Sequence, residues 1–148
     1  MLQALARLLG VSDFLWEDFL RLQHSNLFPL VADPGALELP RTRVTLQRDL
    51  DTQLTNAADF DERRVLLNAF KDREMFRVDM RHILGHVEEF GQFSIELTDL
   101  AETIVTAVTA LCRGQLEERY GRLVGEAGGD SDYRLAVLAL GKCGGREL

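Results

Sequence analysis

The residues best suited to chemistry are the glycines of Gly141-Lys142-Cys143-Gly144-Gly145, which follow the apolar run Tyr133-Arg-Leu-Ala-Val-Leu-Ala-Leu140 and lead into Arg146-Glu147-Leu148. Glycine has no Cβ, so the backbone there can take φ > 0 and bring its N–H groups against a phosphate. Spacing excludes two familiar phosphate motifs. A Walker A loop needs glycine where Ala136 stands and Ser or Thr where Cys143 stands. The dinucleotide pattern G-x-G-x-x-G needs glycine at the positions of Cys143 and Arg146. What remains is G-K-x-G-G-x-E-L after an apolar run.

Other residues with chemical potential carry weaker signals. His82 and His86 have the separation of the two zinc ligands in H-E-x-x-H, but Ile83 occupies the glutamate position and Gly85 interrupts the helix. His86 therefore reads as a polar residue near a helix C-terminus, and no metal ligands are assigned. Asp130 and Asp132 sit in a glycine-rich stretch and read as solvated. Arg73, Arg77 and Arg81 fall on one helical stripe, which presents either a basic rail for phosphates or an acidic domain, or a solvated face. The solvated face is preferred, with Glu74 in place to pair with Arg77 at i+3. Trp16 and the nearby phenylalanines read as helix packing rather than a ligand box.

These residues need elements to position them. The length suits one domain of ordinary size, and 46% hydrophobic residues can build a core. The formal charge of −7, with both signs mixed along the chain, argues against nucleic acid or an anionic membrane surface as partner. No apolar run approaches a membrane span, and the first residues lack a signal-peptide pattern. Two distant cysteines, Cys112 and Cys143, suggest free thiols and a cytoplasmic setting.

A short apolar face at Leu2, Leu5, Leu8 and Leu9 precedes Gly10, and Ser12 can cap a helix bearing Phe14, Leu15, Phe19 and Leu22. Residues 32–40, with Pro34, Gly35 and Pro40, read as a loop. Helices are predicted over 41–56, from Asp59 or Asp61 to about Gly85, and from about Gly91 towards Gly121. The second carries Leu66, Ala69, Phe70, Phe76, Met80, Ile83, Leu84 and Val87. The third carries Leu97, Leu100, Ala101, Ile104, Val108, Leu111, Cys112 and Leu116. Gly128-Gly-Asp-Ser-Asp132 forms a linker, and 133–140 is predicted to be a buried strand opening into a glycine turn.

Four separated segments then point the same way. Phe70-Lys-Asp-Arg-Glu-Met-Phe-Arg-Val78 is similar to an F-x-x-R-E-M-x-R-I helix, and Leu97-Thr-Asp-Leu-Ala-Glu102 to an L-S-D-L-A-E helix. Glu117-Glu-Arg-Tyr-Gly121 is similar to a closing E-x-R-Y-G, and Gly10-Val-Ser-Asp-Phe-Leu15 to an opening G-x-S-x-F-L. Together with G-K-x-G-G-x-E-L, they resemble, in order, the glutamine synthetase adenylyltransferase and adenylyl-removing enzyme family, of the nucleotidyltransferase superfamily.

The resemblance implies a mainly α chain. A helical bundle over 1–127 is followed, over 128–148, by the linker, first strand and glycine turn of an incomplete α+β nucleotidyltransferase domain. It implies an N-terminal fragment of an enzyme that adds AMP to, or removes it from, a tyrosine of glutamine synthetase, regulating nitrogen assimilation. A methionine just before the first helix favours the adenylyl-removing half. In the intact enzyme, the backbone of Gly144 and Gly145 is expected against nucleotide phosphates, while Arg146 fills a variable position of the pattern. The implied cofactors are Mg²⁺ and ATP, or phosphate and ADP. The implied partners are glutamine synthetase and the nitrogen-regulatory signalling protein PII. The S-D-x-D carboxylates that hold the metals in this family follow the glycine motif and fall outside the 148 residues. No catalytic residue is therefore assigned, and the chain alone is expected to be inactive. The competing class is a non-enzymatic helical interaction module.

Overall fold

A computed structural model of the chain describes residues 34–87, 89–122 and 135–146. The expectations for the first 33 residues, including the Ser12 cap and Trp16, lie outside the described residues, as do those for the 128–132 linker with Asp130 and Asp132. The described part is a bundle of three helices, α1 (Arg43–Thr55), α2 (Phe60–Ile83) and α3 (Phe90–Tyr120), with a one-turn helix α4 (Gly141–Gly145) beyond it. A 3₁₀ turn, Pro34–Leu37, precedes α1 within the expected loop. Helix α2 packs most extensively on α3, α1 lies against both, and the 3₁₀ turn rests on α2.

The helix boundaries follow from local chemistry. Thr42 caps α1, its hydroxyl accepting from the Thr45 N–H at 3.3 Å. Asp59 caps α2 by accepting from the Glu62 N–H at 2.8 Å, and Glu62 reaches back to accept from the Ala58 N–H at 2.6 Å. This is close to a capping box, and Asp61 and Glu62 add negative charge where the helix dipole favours it. At the other end Gly85 takes φ +79°. Its N–H donates to the His82 carbonyl, and that of His86 donates to the Arg81 carbonyl at 2.9 Å. That pair of bonds is a Schellman closure, which needs the left-handed conformation glycine tolerates. Gly121 ends α3 differently: its N–H still donates to the Glu117 carbonyl at 2.9 Å, and its φ of +81° turns the chain out of the helix.

Leu46, Leu50, Leu67, Phe70, Leu100 and Ala107 form the core, flanked by Leu54 and Ile104. Each helix thus contributes to one shared interior. Packing on α3 is confined to its first half. Past Ala107, Val108, Leu116 and Tyr120 are exposed, so the broad apolar face expected over the whole helix is buried only in part. On α1, Val44 is exposed.

The expected strand is not observed. Among the described residues, 135–140 have no regular secondary structure, and Leu135, Val137, Leu138 and Leu140 are exposed. A strand is stabilised by ladder bonds to a neighbouring strand, and no strand occurs among the described residues. The glycine segment is likewise a single helical turn, not a loop opening from a strand.

Candidate functional site

The candidate site is the glycine segment and the bundle surface that carries it. Gly144 and Gly145 lie on α4 with their backbone exposed, and Cys143 beside them is half-buried. Gly144 has a reason of its own to be glycine. A Cβ there would overlap the Ala139 carbonyl oxygen and sit 3.0 Å from the carbonyl carbon. A close backbone approach therefore sets this position, whatever ligand the segment meets. Gly141 opens the turn at φ +66°, a conformation costly to other residues.

Arg146, at the variable position of the motif, reaches furthest back. It takes φ +56°, unusual for a residue with a side chain, and its N–H donates to the Cys143 carbonyl at 3.2 Å. Its guanidinium donates to the Asp99 carboxylate and lies 3.9 Å from the Glu102 carboxylate. Glu102 also accepts from Arg43 on α1. The Leu97–Glu102 motif thereby supplies the two acids that receive the glycine segment, spaced i, i+3 on α3 so that both face one way.

A second polar cluster lies inside the bundle, and sequence reasoning misplaced it. Arg77 and Arg81 are not a solvated face: they are 4% and 1% exposed. Glu74 does pair with Arg77, at 3.1 Å, but the pair is buried. Glu74 also accepts from Arg41 at 2.6 Å, and Arg77 donates to the Leu39 carbonyl at 3.2 Å. Arg81 grips Glu96 of α3 through two bonds, at 3.0 and 3.3 Å, and donates to the Leu37 carbonyl. Burial lowers the Arg77 pKa and the Glu74 carboxylate opposes that shift. The guanidinium stays charged at neutral pH. Only Arg73 is partly solvated, its guanidinium 5.2 Å above the Phe70 ring.

Arg77 and Arg81 strap the loop before α1 onto α2, and Arg81 joins α2 to α3. The rail is consumed by the fold, with its two inner arginines turned away from any phosphate. Glu96, the partner that fixes Arg81, gave no sequence signal beyond being an acid on the apolar side of α3. His82 packs its ring 4.5 Å from that of Phe93. No cluster of three or more His, Cys, Asp or Glu able to hold a metal occurs among the described residues. Both thiols, of Cys112 and Cys143, are free.

Comparison with known proteins agrees with the motif resemblance. The family described as glutamate-ammonia ligase adenylyltransferase matches residues 2–148. A bifunctional glutamine synthetase adenylyltransferase/adenylyl-removing enzyme of Shewanella loihica is 30% identical over 97% of this chain. Proteins of the same description from Rhodopseudomonas palustris (strain HaA2) and Thioalkalivibrio sulfidiphilus are 31% and 30% identical over 100% and 99% of the chain. The chain spans 14% of the length of each of these relatives. No solved structure matches it. With the family match running through both the bundle and the glycine segment, the chain belongs to the glutamate-ammonia ligase adenylyltransferase family.

Proposed function

We propose that the chain serves, within an enzyme of the relatives' length, as the helical platform and glycine segment of an adenylyl-removing half that acts on a tyrosine of glutamine synthetase. The observation that carries this reading is the unbroken family match from the bundle into G-K-C-G-G-R-E-L. The relatives' names join the two opposed activities, addition and removal of AMP. The exposed backbone of Gly144 and Gly145 is assigned to nucleotide phosphates, with ATP, or phosphate and ADP, as the small-molecule ligands. Mg²⁺ would supply charge neutralisation at the phosphates, held by carboxylates other than those described. The remaining partner is the signalling protein PII, and the setting the cytoplasm. No helix among the described residues is long and apolar enough to cross a membrane.

The glycine pair is tested in a chimaera carrying residues 1–148 in place of the matching segment of the Shewanella loihica relative. Gly145→Val puts a branched side chain where the backbone is to meet phosphate. ADP affinity and phosphate-dependent release of AMP should fall sharply while the melting temperature and helical content hold. Gly145 is the sharper probe, because Gly144 is already required by the Ala139 carbonyl. Unchanged ADP binding and AMP release in a folded Gly145→Val protein would remove the phosphate assignment. A second reading, a helical interaction module without catalysis, draws on the exposed Val108, Leu116 and Tyr120 of α3. Activity of the chimaera that depends on Gly145 would exclude it.

A further inference from the structure

We infer that Asp99 and Glu102 are positioning residues: by holding Arg146 they set where the glycine segment sits on the bundle, and with it the affinity for nucleotide. The inference rests on the assignment of Gly144 and Gly145 to phosphate, and adds to it the group that places them. Three observations support it. Among the described side chains of α4 and its flank, that of Arg146 carries charge to the bundle, and it meets two acids there. It holds a left-handed backbone conformation at the helix end, where glycine is the usual occupant, so the side chain offsets a cost that glycine would avoid. Glu102 is itself fixed from the far side by Arg43 of α1, giving a chain of charges from α1 through α3 to α4.

The acids are not needed by the core. Asp99 and Glu102 are partly exposed, and the buried ion pairs of the bundle use Glu74 and Glu96 instead. Nor does anything else described fasten the segment firmly, since residues 135–140 are exposed throughout. The clamp therefore acts on the segment's position more than on the stability of the bundle. When only the clamped arrangement binds nucleotide, apparent affinity scales with its population. Reducing that population to roughly a tenth to a fifth weakens binding about five- to tenfold.

The first test uses the two native thiols. Nitroxide labels on Cys112 of α3 and Cys143 of α4 should give one narrow distance distribution in the 148-residue chain without nucleotide. Asp99→Asn with Glu102→Gln should broaden it while circular dichroism and melting temperature stay within error. Arg146→Lys should keep part of the narrow component, and reversing the pair, Asp99→Arg with Arg146→Asp, should restore it. An unchanged distribution in the Asp99→Asn, Glu102→Gln protein overturns the clamp.

The second test measures ADP affinity and phosphate-dependent AMP release in the chimaera. The double acid variant should bind about five- to tenfold more weakly, with affinity recovered by the charge reversal. Broadened distances with unchanged ADP affinity and AMP release overturn the positioning role. That outcome is separable from failure of the phosphate assignment, which shows as unchanged affinity in Gly145→Val. An effect of Gly145→Val without one from the acids discards this inference alone.

Discussion

Two residues of α3 illustrate how much the interior depends on exact polar pairing. Glu96 is 3% exposed and meets Arg81 through both of its oxygens. Glu96→Gln leaves the buried guanidinium without its counter-charge, and urea denaturation should show a loss of about 3–5 kcal/mol. Replacing both, Arg81→Met with Glu96→Leu, should recover most of that, because two desolvated charges are removed together. The recovery will be incomplete, since the Leu37 carbonyl loses its donor. A recovery no better than the single variant would contradict this account. Thr98 presents the opposite case. It is fully buried and its hydroxyl has no hydrogen-bond partner among the described residues. Thr98→Val keeps the shape and deletes the unpaired group. It should stabilise the chain by about 1 kcal/mol. A destabilised variant would reveal a water bound there.

At the scale of elements, stability is unevenly spread. The first half of α3 is enclosed by α1 and α2, with Leu100, Thr103 and Ala107 buried. The segment 135–140 has the composition of a core strand but no ladder, and its large side chains face water. Amide hydrogen exchange should therefore find residues 135–140 exchanging orders of magnitude faster than Leu100 to Ala107. Equal protection would mean that a partner strand forms. The same contrast explains why α4 needs Arg146. A five-residue helix cannot sustain itself in water, because nucleation costs more than its few bonds return.

For the whole molecule, the proposed platform role predicts that the chain by itself is inactive. The described residues contain no metal-binding cluster, and the glycine segment stands exposed at the bundle's edge. Purified 148-residue chain, supplied with ATP, Mg²⁺ or phosphate, should neither attach AMP to glutamine synthetase nor release it. Radiolabelled AMP transfer and release would be measured against a blank. Turnover that a substitution within the chain abolishes would place catalytic groups here.

The bundle itself was legible in the sequence because its determinants are local. The helix cap at Asp59, the glycine stops at Gly85 and Gly121, and the helical spacing of apolar residues within each helix act within a few residues. The family could be read from motifs for a similar reason, since a motif is a local record of chemistry. Three matters were decided only by tertiary structure. Arg77 and Arg81 look like a surface stripe until Glu96 and the Leu37 and Leu39 carbonyls are brought round them from other parts of the chain. The run over 135–140 has strand composition, but a strand exists only with a neighbour to share its hydrogen bonds. The pairing of Arg146 with Asp99 spans 47 positions, a separation no local pattern encodes. It exists because the glycine segment returns beside the partly exposed side of α3 that carries Asp99 and Glu102, level with the core residue Leu100.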